Sequence, residues 1–110
     1  MITEAEAEQS VRFLHESAQD IAKAKYEKVK TEEMRKAVLG QLRLASKEGS
    51  QAGKEAWAYA QPEYAEAVEA MAKAAGRYEL LLSQRKAAEA RIDAWRSMNA
   101  TNRSVDRRAA

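Results

Sequence analysis

Pro62 is the only proline in the chain, and the forty residues that follow it, to about Asn102, carry the longest unbroken helical pattern. Apolar side chains fall at Tyr64, Val68, Met71, Ala75, Tyr78 and Leu82. After a small phase shift they continue at Leu81, Ala88, Ile92 and Trp95. Steps of three and four place such residues on one face of a helix, which must then pack along its length. Proline suits the first helical position, where its missing amide proton costs nothing, and it pushes Gln61 before it out of the helical region. The pattern therefore predicts a helical rod over 62–102.

The rest of the chain reads as support for that rod. Thr3 followed by Glu6 has the form of a capping box, with Ile2 placed as the hydrophobic residue before the cap. Val11, Leu14, Ala18 and Ile21 continue the spacing, Lys25 and Lys28 interrupt it, and Val29, Met34, Val38, Leu42 and Ala45 resume it in a shifted phase. This predicts a helix over about 3–46, with room for a break near Lys30 and Thr31. Gly40 inside it should weaken it by about 1 kcal/mol relative to Ala. KEGSQAG at 47–53 is the clearest loop, 54–60 reads as a short helix, and 103–110 reads as a basic tail. No strand pattern and no internal repeat competes.

The expected fold is therefore all-α, a single domain over 1–110: a long antiparallel two-helix hairpin with a short connecting helix. Each long helix of about 40 residues would span roughly 60 Å. Charge supports that pairing independently. Residues 1–20 carry a net −4, 21–54 a net +5, 55–84 a net −3 and 85–110 a net +4. Folding the chain back sets each acidic block beside a basic one, whereas like-signed blocks would oppose it. A lone pair of helices leaves one side of each apolar stripe wet, so self-association into a homo-oligomer through helix packing belongs to the expectation.

Several classes of chemistry are disfavoured by what the chain lacks. It has no cysteine, hence no disulfide or thiolate metal site, which fits a reducing cytosol. His15 is the only histidine, so a metal site would need carboxylates around one imidazole. No Gly-rich phosphate loop and no nucleophile with a base at hand is present, and neither an enzyme nor a cofactor is expected. No segment approaches the roughly 18 apolar residues needed to cross a bilayer, and no signal peptide is seen; the expectation is an intracellular chain with no membrane contact.

Surface chemistry supplies the remaining candidates. Lys23, Lys25, Lys28, Lys30, Arg35 and Lys36 on the first helix, and Arg96, Arg103, Arg107 and Arg108 at the far end, are candidates for contact with phosphates or a partner. Trp57, Tyr59 and Tyr64 have two readings. At helical spacing aromatic residues pack cores, but an exposed ring beside a cation can stack on single-stranded bases. Asn99 and Asn102 extend the Ile92 and Trp95 spacing with polar side chains, which can fix register or mark a fraying end.

The run EAWAYAQPEY at 55–64, the long helix ending ARIDAWRSMNATNRSVDR at 90–107, and AKAKYEKVK at 22–30 resemble small helical proteins of tailed bacteriophages and prophages found with annealing-recombinase genes. The layout, a Lys- and Tyr-containing first helix, a loop and a long second helix, is also similar to UvsY-type recombination mediators. These resemblances imply a non-catalytic phage accessory protein in the host cytoplasm, oligomeric, that binds single-stranded nucleic acid or a recombination protein on it. Two other readings stay open: a protein-interaction module that inhibits a host defence or nuclease factor, and an oligomer that sequesters nucleotides between subunits.

Overall fold

The computed structural model describes Met1–Ala109 and, among those residues, is all-α with no strand. Four helices follow one another: α1, Glu4–Glu16; α2, Ala18–Ala45; α3, Gln51–Tyr59; and α4, Pro62–Ala109. The chain divides into two compact units. Unit 1 comprises Met1–Ile21 with Leu80–Ala110, and unit 2 comprises Ala22–Glu79.

Local chemistry accounts for each helix end. The Thr3 hydroxyl accepts the Glu6 amide at 3.1 Å, satisfying one of the free donors at the start of α1. Ser17 separates α1 from α2 with little disturbance. Its amide donates to the Phe13 carbonyl and its carbonyl accepts from Ile21, both at 2.9 Å, so the hydrogen-bond ladder passes through it. The break allowed near Lys30 and Thr31 does not occur. There the Thr31 hydroxyl turns back onto its own helix, donating to the carbonyls of Glu27 at 2.8 Å and Lys28 at 3.0 Å.

The connection is shorter than the composition of 47–53 suggests, because Ser50 acts as a cap. Its hydroxyl accepts the Gly53 amide at 3.0 Å, so Gln51, Ala52 and Gly53 form the first turn of α3 rather than loop. Gly53 fits a close approach: a Cβ there would lie 3.0 Å from Ser50 Oγ and 3.2 Å from Glu48 Cβ, so either side chain would have to give way slightly. At the other end, α4 continues seven residues past the expected stop at Asn102. No glycine or proline follows Gly76, and Arg107 and Arg108 favour the negative end of the helix dipole.

The buried seams differ in phase from the large apolar residues of the sequence. Along α1 and α2 the seam takes Ala7, Ser10, Leu14, Ser17, Ile21, Ala24, Lys28, Thr31, Arg35, Val38 and Leu42, all buried or half-buried. This is an unbroken three-and-four repeat. One of its two columns, Ser10, Ser17, Ala24, Thr31 and Val38, carries only small residues as far as Thr31. Val11, Val29 and Met34, expected in the core, are 42%, 46% and 51% exposed. Along α4 the matching repeat runs Tyr64, Ala67, Met71, Ala74, Tyr78, Leu81, with Ala88, Ile92, Trp95 and Asn99 beyond, and needs no phase shift once Ala67 and Ala74 are included.

Small seam residues bring helix backbones close together. In unit 1 the buried set is Ala7, Ser10, Ser17, Ala88 and Ile92; in unit 2 it is Ala24, Leu39 and Ala58. Within unit 2, Lys25 and Lys28 meet Tyr78, and Arg35 meets Tyr64, so rising numbers on α2 meet falling numbers on α4.

Two outcomes follow for chemical denaturation followed by circular dichroism. Ala24, 1% exposed, has no room to grow: Ala24→Leu should cost about 1–3 kcal/mol, whereas Val29→Ala should stay within about 0.5 kcal/mol of the parent. At Gly40 nothing lies within 4 Å of the place a Cβ would occupy, so Gly40→Ala should stabilise by about 0.5–1 kcal/mol.

Candidate nucleic-acid and partner-binding surfaces

The basic residues of α2 divide into three groups by what they touch. Arg35 lies in the seam, where its Nη1 donates to the Tyr64 hydroxyl at 3.2 Å and its Nε is buried without a partner. Lys25 and Lys28 reach over the Tyr78 ring, at 5.1 and 5.4 Å from its centroid, and Lys28 also lies 4.0 Å from Glu32. Each cation–π contact of this kind contributes about 0.5–1 kcal/mol. Lys36 pairs with Glu33 at 3.3 Å on the surface. Arg35 and Lys28 thus serve the helix interface, and only part of the expected basic row faces outward.

The third group is Lys23 and Lys30, both exposed. Among the described residues, neither they nor Lys25 have a carboxylate within ion-pair distance. Between them on the same face, at steps of three and four, stands Tyr26. Its ring is 61% exposed, and Lys30 Nζ lies 5.8 Å from its centroid. This tyrosine was not among the stacking candidates Trp57, Tyr59 and Tyr64. Its signal was its position: Tyr26 is two residues from the seam alanine Ala24, and two residues on a helix is a turn to the far side.

Of the three stacking candidates, two are held by the fold. Tyr64 is half-buried, accepts from Arg35, and meets Tyr59 edge-on at 5.0 Å and 86°. Trp57 is half-buried on α3, and its carbonyl accepts from Gln61 Nε2 at 2.8 Å. Tyr59 remains 51% exposed. Nearby, Arg43 bridges α2 to Glu55 of α3 at 3.1 Å.

The C-terminal arginines belong to unit 1. Arg103 Nε donates to its own helix at the Asn99 carbonyl, 3.4 Å away, and Arg107 and Arg108 are exposed on the last turn. Arg96 stands at the edge of a groove of about 430 Å³ between α1 and α4, floored by Ala7, Val11, Ile92 and Trp95, with Glu4, Glu8 and Arg12 also at its edge. A second groove in unit 1, about 460 Å³, is more polar and is lined by Gln9, Ser10, Phe13, Gln84 and Arg91 among others. In unit 2 a groove of about 330 Å³ has Met34, Val38, Ala67 and Ala70 with Glu63 and Glu66 beside them. Among the described residues no cluster of His, Cys, Asp or Glu could hold a metal ion, and no helix is long and apolar enough to cross a membrane.

The Arg35–Tyr64 contact can be tested separately from any ligand. Tyr64→Phe should cost about 0.5–1.5 kcal/mol in a urea titration, because the guanidinium loses an acceptor. Arg35→Met, which removes the charge and keeps the stem, should be neutral or stabilising.

Compared with protein-family models, curated proteins and solved structures, the chain matches none.

Proposed function

We propose that this chain is a non-catalytic helical mediator that binds single-stranded nucleic acid, or a protein carried on it, in phage DNA recombination or replication. The observation that carries the nucleic-acid part is the outward face Lys23–Tyr26–Lys30: an exposed ring flanked by two cations free of acidic partners. Base stacking on such a ring does not depend on sequence, and the lysines supply phosphate contacts. The phage and recombination context rests on the resemblance of the 22–30, 55–64 and 90–107 runs. The order of contacts between α2 and α4 supports an antiparallel pairing of these helices within unit 2. The exposed apolar residues support an oligomer built by helix packing.

The groove at Met34, Val38, Ala67 and Ala70 favours a second reading, an adaptor that docks a helix of a host protein. Such an adaptor would form a stoichiometric complex and would bind no nucleic acid.

Fluorescence anisotropy with an oligothymidylate at two salt concentrations separates the two. Direct binding should weaken steeply with salt, and Lys23→Gln with Lys30→Gln should flatten the logarithmic salt slope by about 0.7 per lysine removed. Tyr26→Ala should cost about 1–3 kcal/mol of affinity, and Arg35→Met nothing. No binding of the parent chain at low salt would end the direct version.

A further inference from the structure

We infer that the Val11–Trp95 groove of unit 1 is the contact between two copies of this chain, with α1 of each copy lying on the C-terminal part of α4 of the other. The inference deepens the oligomeric part of the proposed function and rests on it. Unit 1 buries mainly alanine and serine and leaves its larger apolar side chains at the edge: Val11 is 42% exposed, Trp95 is half-buried, and both line the groove with Ile92. Two helices alone cannot cover both flanks of such a seam, whereas four can.

Charge selects a second copy as the occupant and sets its orientation. α1 is acidic, with Glu4, Glu6, Glu8 and Glu16 against Arg12, while 85–110 is basic with a net +4. At the groove itself Glu4 and Glu8 outnumber Arg12 on the α1 wall, and Arg96 stands on the α4 wall. A two-fold axis parallel to the helices sets each acidic α1 against the partner's basic α4 and keeps neighbouring helices antiparallel. The other close arrangement, α1 on α1 and α4 on α4, opposes like charges at both contacts. An isologous pair of the first kind uses the same patch twice and covers the Val11–Trp95 groove of both copies. Lys23, Tyr26 and Lys30 belong to unit 2 and are not part of the patch.

The test is the solution mass of the full chain across the micromolar range, by light scattering and sedimentation equilibrium. The parent should weigh twice its 12.3 kDa. Val11→Asp should give a monomer with unchanged helicity by circular dichroism. Arg96→Glu should weaken dimerisation by about tenfold or more, and Glu8→Arg combined with Arg96→Glu should restore it. Should Val11→Asp lose helicity, the two exposed charge variants decide. A monomeric parent would overturn the inference and assign the groove to a different molecule. A dimer or larger oligomer whose mass ignores both Val11→Asp and Arg96→Glu would overturn it equally. Oligothymidylate binding at low salt by the Val11→Asp monomer would show that the nucleic-acid reading stands or falls separately.

Discussion

The structure depends on how closely its helices approach. Ser10, Ser17, Ala24 and Thr31 repeat every seven residues along α1 and α2, and Ala67, Ala74 and Ala88 hold comparable positions along α4. Small side chains at these steps give backbone proximity and many weak dispersion contacts, but little apolar area. Consistently, no large side chain is fully buried among the described residues. Larger apolar groups, Val11, Tyr26, Val29, Met34, Leu44 and Leu80, are left outside. A chain that spends its seam on alanine and serine has its larger hydrophobic residues available for other molecules.

That division also sorts the charged residues. Lysine and arginine stems can lie along an interface with the head group at its rim, and Lys25, Lys28 and Arg35 use this freedom against Tyr78 and Tyr64. What remains for a ligand is narrower than the count of basic residues implies. On α2 it is Lys23 and Lys30 around Tyr26, and on unit 1 it is the exposed arginines of the last turns of α4.

Helix content and the start of α4 at Pro62 could be read from the chain, because proline geometry and three-and-four spacing are local properties. The phase of the seam could not. Ranking residues by hydrophobicity favours Val29 and Met34 over Ala24 and Thr31, yet at these positions the smaller residues lie inside. The same error made Lys28 look like an interruption of the pattern when it is a member of it. It also hid Tyr26, whose exposure is plain only once Ala24 is known to face the neighbouring helix. Ser50 explains the shifted start of α3: a single hydroxyl converts a glycine-containing stretch into a capped first turn.

A seam built from near-identical small residues is degenerate: sliding one helix past another by seven residues exchanges serine for serine, or alanine for threonine, at little cost in packing. Arg35 removes that degeneracy. Its guanidinium meets the hydroxyl of Tyr64, and a slip of seven residues would set it opposite Met71, which offers only a weak sulfur acceptor. A slipped pairing would leave a half-buried cation without its hydroxyl. The contact therefore acts less as a source of stability than as an index mark for the register of α2 on α4.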